Sequence, residues 1–177
     1  VKQIKSVFLF RNYQVMKLDV IDLKILKALQ ENSKITNIEL SKVVGLSAAP
    51  TLGRVQKLEK LGIISSYHAK VNDSKLGLGF MALVQLSLIR QKSTAGLNFM
   101  EQINDIDEVV ECIQLTGNFD YQLRIVSKDI PSFENVLDKK LGQIEEIGQM
   151  QTSVVLAIKK NSPVAPMDYK NEITLIS

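Results

Sequence analysis

One stretch, Ser47 to Lys60, holds residue types at a spacing that could do chemistry on a polyanion. Placed on a helix, Ala49, Pro50, Gly53, Arg54 and Lys57 share one face with no acidic residue among them. A small, basic helix face is what the DNA major groove admits. Arg54 is the candidate to pair with a guanine edge or clamp a phosphate, whereas Lys57 and Lys60 are expected at phosphates. Ser47 has two readings, as N-cap of that helix and as a phosphate donor, and the cap is preferred. The bland alternative for the stretch is two packed helices joined by a short turn, with Arg54 merely solvated. Catalytic chemistry finds little here. His68 and Cys112, the only histidine and the only cysteine, have no partner group that would orient them as base and nucleophile. With one of each, a Cys/His metal site is not expected, nor is any cofactor.

The helix carrying that face has to be held by others. Gly45 can close a preceding helix in the left-handed conformation, and Pro50 sits where a missing N–H costs least. Leu52, Val55 and Leu58 recur at helical spacing and are expected to face a core. Upstream, Asp19 is a good N-cap for a helix with the stripe Ile21, Ile25, Leu26 and Leu29. Thr36 and Glu39 form a capping box for a second helix, expected to pack Ile38, Leu40, Val43 and Val44. Gly62 stops the third helix. Residues 63–71 are rich in β-branched and aromatic types and read as a strand. Three helices and a short strand make a winged-type helix-turn-helix unit.

The charge supports a division of labour. Residues 16–78 carry ten Lys/Arg against six Asp/Glu, and residues 79–158 carry six against eleven. A basic half joined to an acidic half suggests that only the first meets nucleic acid. Residues 72–79, with two glycines and an Asn-Asp pair, read as a hinge. No apolar run approaches the ~18 residues of a membrane span, and one cysteine fits a reducing, cytoplasmic setting. Residues 1–15 mix Lys2, Lys5 and Arg11 with Val7 to Phe10 and read as an extension, disordered by default.

Beyond the hinge the period changes. Strands are expected over 81–89, 109–115, 119–126 and 152–158, with helices over 94–103 and from Pro131. Phe133, Val136, Leu137 and Leu141 should point inward from the second helix. The order β-α-β-β-α-β gives a ferredoxin-like antiparallel sheet with both helices on one face. Residues such as Gln85, Ser87, Tyr121, Leu123, Thr152 or Ser153 are candidates for the other face, which a second copy would cover in a two-fold dimer. The expected division is helix-turn-helix over 16–71, hinge over 72–79, ferredoxin-like domain over 80–159 and a tail over 160–177. The tail is either disordered or an added edge strand. The fold class is α+β.

Several of these motifs occur together in an order that resembles one family. Leu18-Asp19-x-x-Asp22-x-x-Ile25-Leu26, Leu40-Ser41-x-x-Val44-Gly45-Leu46-Ser47 and Arg54-Val55-x-x-Leu58-Glu59-x-x-Gly62-Ile63-Ile64 resemble the Lrp/AsnC (feast/famine) transcription regulators. Gly117-Asn118-Phe119-Asp120-Tyr121 is similar to that family's Gly-x-x-Asp-Tyr turn, and the strand starting Thr152-Ser153 is similar to its last strand. The match covers about residues 16–159. The resemblance implies binding to double-stranded DNA, homodimers that assemble into octamers or related rings, and an amino-acid effector at the interface between C-terminal domains. In that reading Gly117, Asn118, Phe119, Asp120, Tyr121, Thr152 and Ser153 form the effector site. The turn glycine bares backbone N–H groups to a carboxylate, Asp120 accepts an ammonium, and the two hydroxyls add contacts. Without the resemblance, the turn is a hairpin whose Asn118 and Asp120 satisfy local backbone. Ala48, Ala49 and Gly53 depart from the larger side chains expected on the reading face, so operator sequence cannot be transferred from relatives. Two rivals stand beside a regulator of amino-acid metabolism: a nucleoid-type architectural protein without effector, and a sensing module of an enzyme.

Overall fold

The first helix, α1 (Val20–Glu31), starts where a capping box closes on itself. The Asp22 backbone N–H donates to the Asp19 carboxylate at 2.8 Å, and the Asp19 N–H donates back to Asp22 at 3.3 Å. α2 (Asn37–Val44) repeats the device with Thr36 and Glu39, and the hydrogen bonds from Thr36 hold the Glu39 carboxyl below its usual pKa. Gly45 ends α2 at φ +75°, a conformation in which a side chain is strained. α3 (Ala48–Lys60) follows after three residues.

The computed structural model describes residues 15–89 and 95–176; the chain separates into two compact units. Among the described residues, the first unit comprises 15–69 with 160–176, and the second 70–89 with 95–159. In the first, Leu23, Ile25, Leu26, Ala28, Leu40, Val44 and Leu58 form the core. Two segments far apart in the sequence close it: β1 (Val15–Leu18) pairs antiparallel with β6 (Ile173–Ile176), and Met167, Tyr169 and Ile173 pack on the core. Gln30 of α1 fixes the strap, its carbonyl accepting from the Ala165 N–H at 2.8 Å and its amide donating to the Tyr169 hydroxyl at 3.2 Å. Most of the proposed extension, residues 1–14, lies outside the described residues, but Val15 belongs to β1.

Three expectations for this unit are corrected. Residues 63–71 form no strand; Ile63 and Ile64 donate to the Leu58 carbonyl and pack half-buried on the helices. Strand propensity is only realised against a neighbouring strand, and among the described residues none is offered there. Ile38 and Val43 are exposed instead of packed, at 63% and 57%. Leu52 is exposed, and Thr51 takes the core position beside Leu58, its hydroxyl donating to the Ser47 carbonyl at 2.9 Å. A buried hydroxyl is tolerated because that carbonyl satisfies it.

The second unit is a four-stranded antiparallel sheet. It contains β2 (Phe80–Leu88), α4 (Ala95–Asn104), β3 (Val109–Gln114), β4 (Tyr121–Ser127), α5 (Ile130–Lys139) and β5 (Ile147–Val154). The spatial order β3-β4-β2-β5 is the ferredoxin-like arrangement. Ala82, Val84, Leu86, Leu123 and Ile125 point to one face and meet Phe99, Ile103, Phe133 and Val136 of the two helices. Tyr121 and Leu123 therefore belong to the core face, not the open face, Tyr121 lying against Phe99 at 4.8 Å between ring centroids. The period of two fixes this: Leu123 is cross-strand partner of buried Val84. Arg124 and Gln122 take the open face, opposite Leu83 and Gln85. β5 runs over 147–154, not 152–158.

Candidate nucleic-acid interface and effector turn

On α3 the exposed residues are Ala48, Ala49, Pro50, Leu52, Gly53, Gln56, Lys57, Glu59 and Lys60. Ala49, Gly53, Gln56 and Lys60 recur at three to four residues and look directly away from Thr51 and Leu58. Nothing lies within 4 Å of where a Gly53 side chain would begin. Lys57 borders this row and makes no ion pair among the described residues. Ser47 is exposed at the helix start, but its side chain makes no capping hydrogen bond, contrary to the preferred reading. Ser47 still occupies the N-cap position, at the positive end of α3.

Arg54 is not on the outward row. Its Nη1 donates to Asp22 Oδ1 and to Asp19 Oδ2, each at 2.7 Å. Asp22 keeps only 4% of its side chain exposed, so a guanidinium over it compensates a buried charge. Both carboxylates belong to the capping box of α1, and Arg54 thus ties α3 to the start of α1. In this geometry the Arg54 Nη1 is engaged by two carboxylates and is not turned along the outward row. Burial raises the Asp19 pKa, but the Asp22 N–H and the Arg54 contact outweigh it, and the net shift is downward. Gln56 is exposed on the same outward row. Its spacing from Gly53 and Ala49 was a visible signal.

In the second unit Gly117 has φ +123° within the β3–β4 turn. The Asp120 N–H donates to the Leu86 carbonyl, and the Asp120 carboxylate accepts from the Leu88 N–H, both at 2.9 Å. Asp120 therefore anchors the turn to the end of β2. Asn118 is exposed, Phe119 half-buried and Tyr121 packed in the core. Thr152 and Ser153 do not join them. They pair with Val84 and Leu83 on the far side of β2, which places Thr152 roughly 14 Å from Asp120 at two strand spacings across and about three residues along. One free amino acid does not bridge both groups within one chain. A cavity of about 430 Å3 elsewhere in this unit is lined by Asp73, Leu78, Asp107, Glu108, Val110, Arg124 and Val126, and by none of these effector candidates. Among the described residues no helix is long and apolar enough to cross a membrane.

Comparison with known proteins places both units. Residues 18–65 match a model described as winged helix-turn-helix DNA-binding, and residues 81–165 match the Lrp/AsnC ligand binding domain. The transcriptional regulator AzlB of Bacillus subtilis is 38% identical over 151 residues, spanning 85% of this chain and 96% of that protein. The leucine-responsive regulatory protein of Haemophilus influenzae is 38% identical over 155 residues, spanning 88% and 92%. Among solved structures, a Neisseria meningitidis transcriptional regulator in complex with L-Met superposes with a TM-score of 0.81 at 35% identity, covering 84% of this chain and 96% of that one. An AsnC family regulator from Agrobacterium tumefaciens gives 0.80 at 30% identity, covering 86% and 99%. The chain, with its helix-turn-helix and its ferredoxin-like sheet, belongs to the Lrp/AsnC family of transcriptional regulators.

Proposed function

We propose that this regulator lays α3 in the major groove with Ala49, Pro50 and Gly53 against the bases and Ser47 and Lys57 at the phosphates. The carrying observation is the outward face of α3. It is exposed and small, Lys57 is unpaired there among the described residues, and the neighbouring acids Asp19 and Asp22 are consumed by Arg54. Such contacts release counterions, so affinity should fall steeply with salt. Fluorescence anisotropy on a labelled duplex at several salt concentrations tests it. Lys57→Ala should reduce the slope of log K against log salt by about one; an unchanged slope argues against this face.

The second half of the proposal is an amino-acid effector held by Gly117, Asn118, Phe119, Asp120 and Tyr121 of one chain with Thr152 and Ser153 of another copy. Two observations support it: the separation of the two groups within one chain, and the L-Met complex of the Neisseria meningitidis relative. A homodimer, extending to an octamer or related ring, would supply the second copy. The second unit carries apolar surface suited to that, with Val154 at 52% and Leu156 at 96% exposed. Calorimetry against the twenty amino acids decides the effector, and light scattering the assembly. Absence of heat with every amino acid would leave a regulator that works without one.

A further inference from the structure

Arg54 lies off the outward row of α3 and its Nη1 is engaged by Asp19 and Asp22, so the row itself is where further base-reading groups are sought. On the outward row of α3, Ala49 and Gly53 are too short to offer hydrogen bonds, and Lys60 lies a turn further along. Lys57 is a point donor with no acceptor. Gln56 is the one residue of the row whose side chain carries a donor and an acceptor in one plane. It is exposed, and no hydrogen bond to another described residue holds it. It stands one turn after Leu52 and Gly53. Open space beside Gly53 lets the helix backbone approach the floor of the groove, which brings a side chain of this length to a base edge. Leu52, exposed at 46%, adds an apolar surface on the adjacent flank.

We infer that Gln56 is the specificity-determining residue of α3, its carboxamide pairing with the N6 amino group and N7 of one adenine per half-site. Leu52 covers the methyl group of a thymine beside it. The chemistry selects these bases: a glutamine amide donates to N7 and accepts from N6, and thymine alone presents a methyl in the major groove. Phosphate contacts from Lys57 then set the register without sequence preference. The inference rests on α3 being the reading helix, as proposed above.

The test is selection by the full chain from a duplex pool with a randomised core, followed by anisotropy on the enriched duplex. Wild type should require adenine at one position in each half-site. Gln56→Ala should lose that preference, by roughly 5- to 100-fold in the ratio of affinities, while keeping its affinity for the unselected pool. Gln56→Arg should move the preference to guanine, an outcome only a folded, correctly docked protein can give. Replacing the read adenine by 7-deazaadenine should weaken wild type and leave Gln56→Ala indifferent. An unaltered motif in both variants overturns the assignment of Gln56 while DNA binding stands. Failure of wild type to bind any duplex overturns the reading of α3 and this inference with it.

Discussion

Arg54 Nη1 lies 2.7 Å from Asp22 Oδ1, and the Asp22 side chain is almost fully buried. The pair joins α3 to α1 across the helix-turn-helix, with Asp19 as a second, more exposed acceptor. Truncation of Arg54 leaves a buried carboxylate without its cation. Fully buried pairs broken this way lose about 3–5 kcal/mol; with Arg54 itself 31% exposed, about 1–3 kcal/mol is expected for Arg54→Ala. Urea unfolding should show a lowered midpoint with unchanged slope, and part of the loss should return in the double variant Arg54→Ala/Asp22→Asn. Arg54→Ala should weaken DNA binding mainly through this loss of fold, so lowering the temperature should recover affinity.

Acid should loosen the same region. Asp19 titrates below its ordinary value of 3.8 in the folded protein because the Asp22 N–H and Arg54 outweigh burial, which pulls the other way. Glu39 is held down by the Thr36 N–H and hydroxyl. A carboxyl with a depressed folded pKa stabilises the fold above its unfolded pKa. That contribution disappears as pH falls through the folded value. Stability of the helix-turn-helix unit should therefore be flat near neutrality and decline below about pH 4. Asp19→Asn, which keeps a capping oxygen, should flatten the decline when unfolding midpoints are followed from about pH 6 to about pH 3.

Gly53 offers a test in which stability and function move oppositely. Its backbone is helical, and an added methyl meets nothing within 4 Å. Gly53→Ala should raise stability by about 0.5–1 kcal/mol in thermal or urea unfolding. Affinity for duplex DNA should fall, because the methyl stands where the helix approaches the groove. Equal affinity would mean the backbone stays distant there.

The strap from residue 160 onward makes a further prediction. Tyr169 packs on the first unit, accepts from Gln30 and donates to the Ala165 carbonyl at 2.8 Å. Tyr169→Ala should cost the helix-turn-helix unit about 1–2 kcal/mol from half-buried apolar surface and the lost hydrogen bonds. Hydrogen exchange should accelerate in α1 and β1 and remain unchanged in the ferredoxin-like sheet. Uniform acceleration in both units would show that the strap does not act locally.

Leu123 separates core from surface in the second unit. It was a candidate for the open face, yet it is fully buried among Val84, Phe99 and their neighbours. Leu123→Ala should cost about 2–5 kcal/mol, a size no surface position would give.

Much was legible in the chain itself, wherever the signal is local. Asp19, Thr36 with Glu39, and Gly45 mark helix ends through bonds spanning only a few residues, so their types suffice to place α1 and α2. The change from a period near 3.6 to a period of two, with a reversal of charge, separated the two units in the same way. The joint motifs pointed to the family for the same reason: each is a short run with a geometric demand.

Tertiary structure decided everything that depends on which face a neighbour covers. Arg54 looked free because its partners lie 32 and 35 positions earlier in the chain. Thr51 displaced Leu52 from the core because the Ser47 carbonyl was at hand to accept its hydroxyl. Residues 63–71 stayed irregular because strand propensity needs an adjacent edge, and the segments Val15–Leu18 and Ile173–Ile176 paired with each other instead. A one-residue choice of strand phase moved Leu123 and Tyr121 from the open face to the core. Types and short spacings write the helices and turns of this regulator; long-range pairing alone determines which of its charges and apolar groups remain available to DNA.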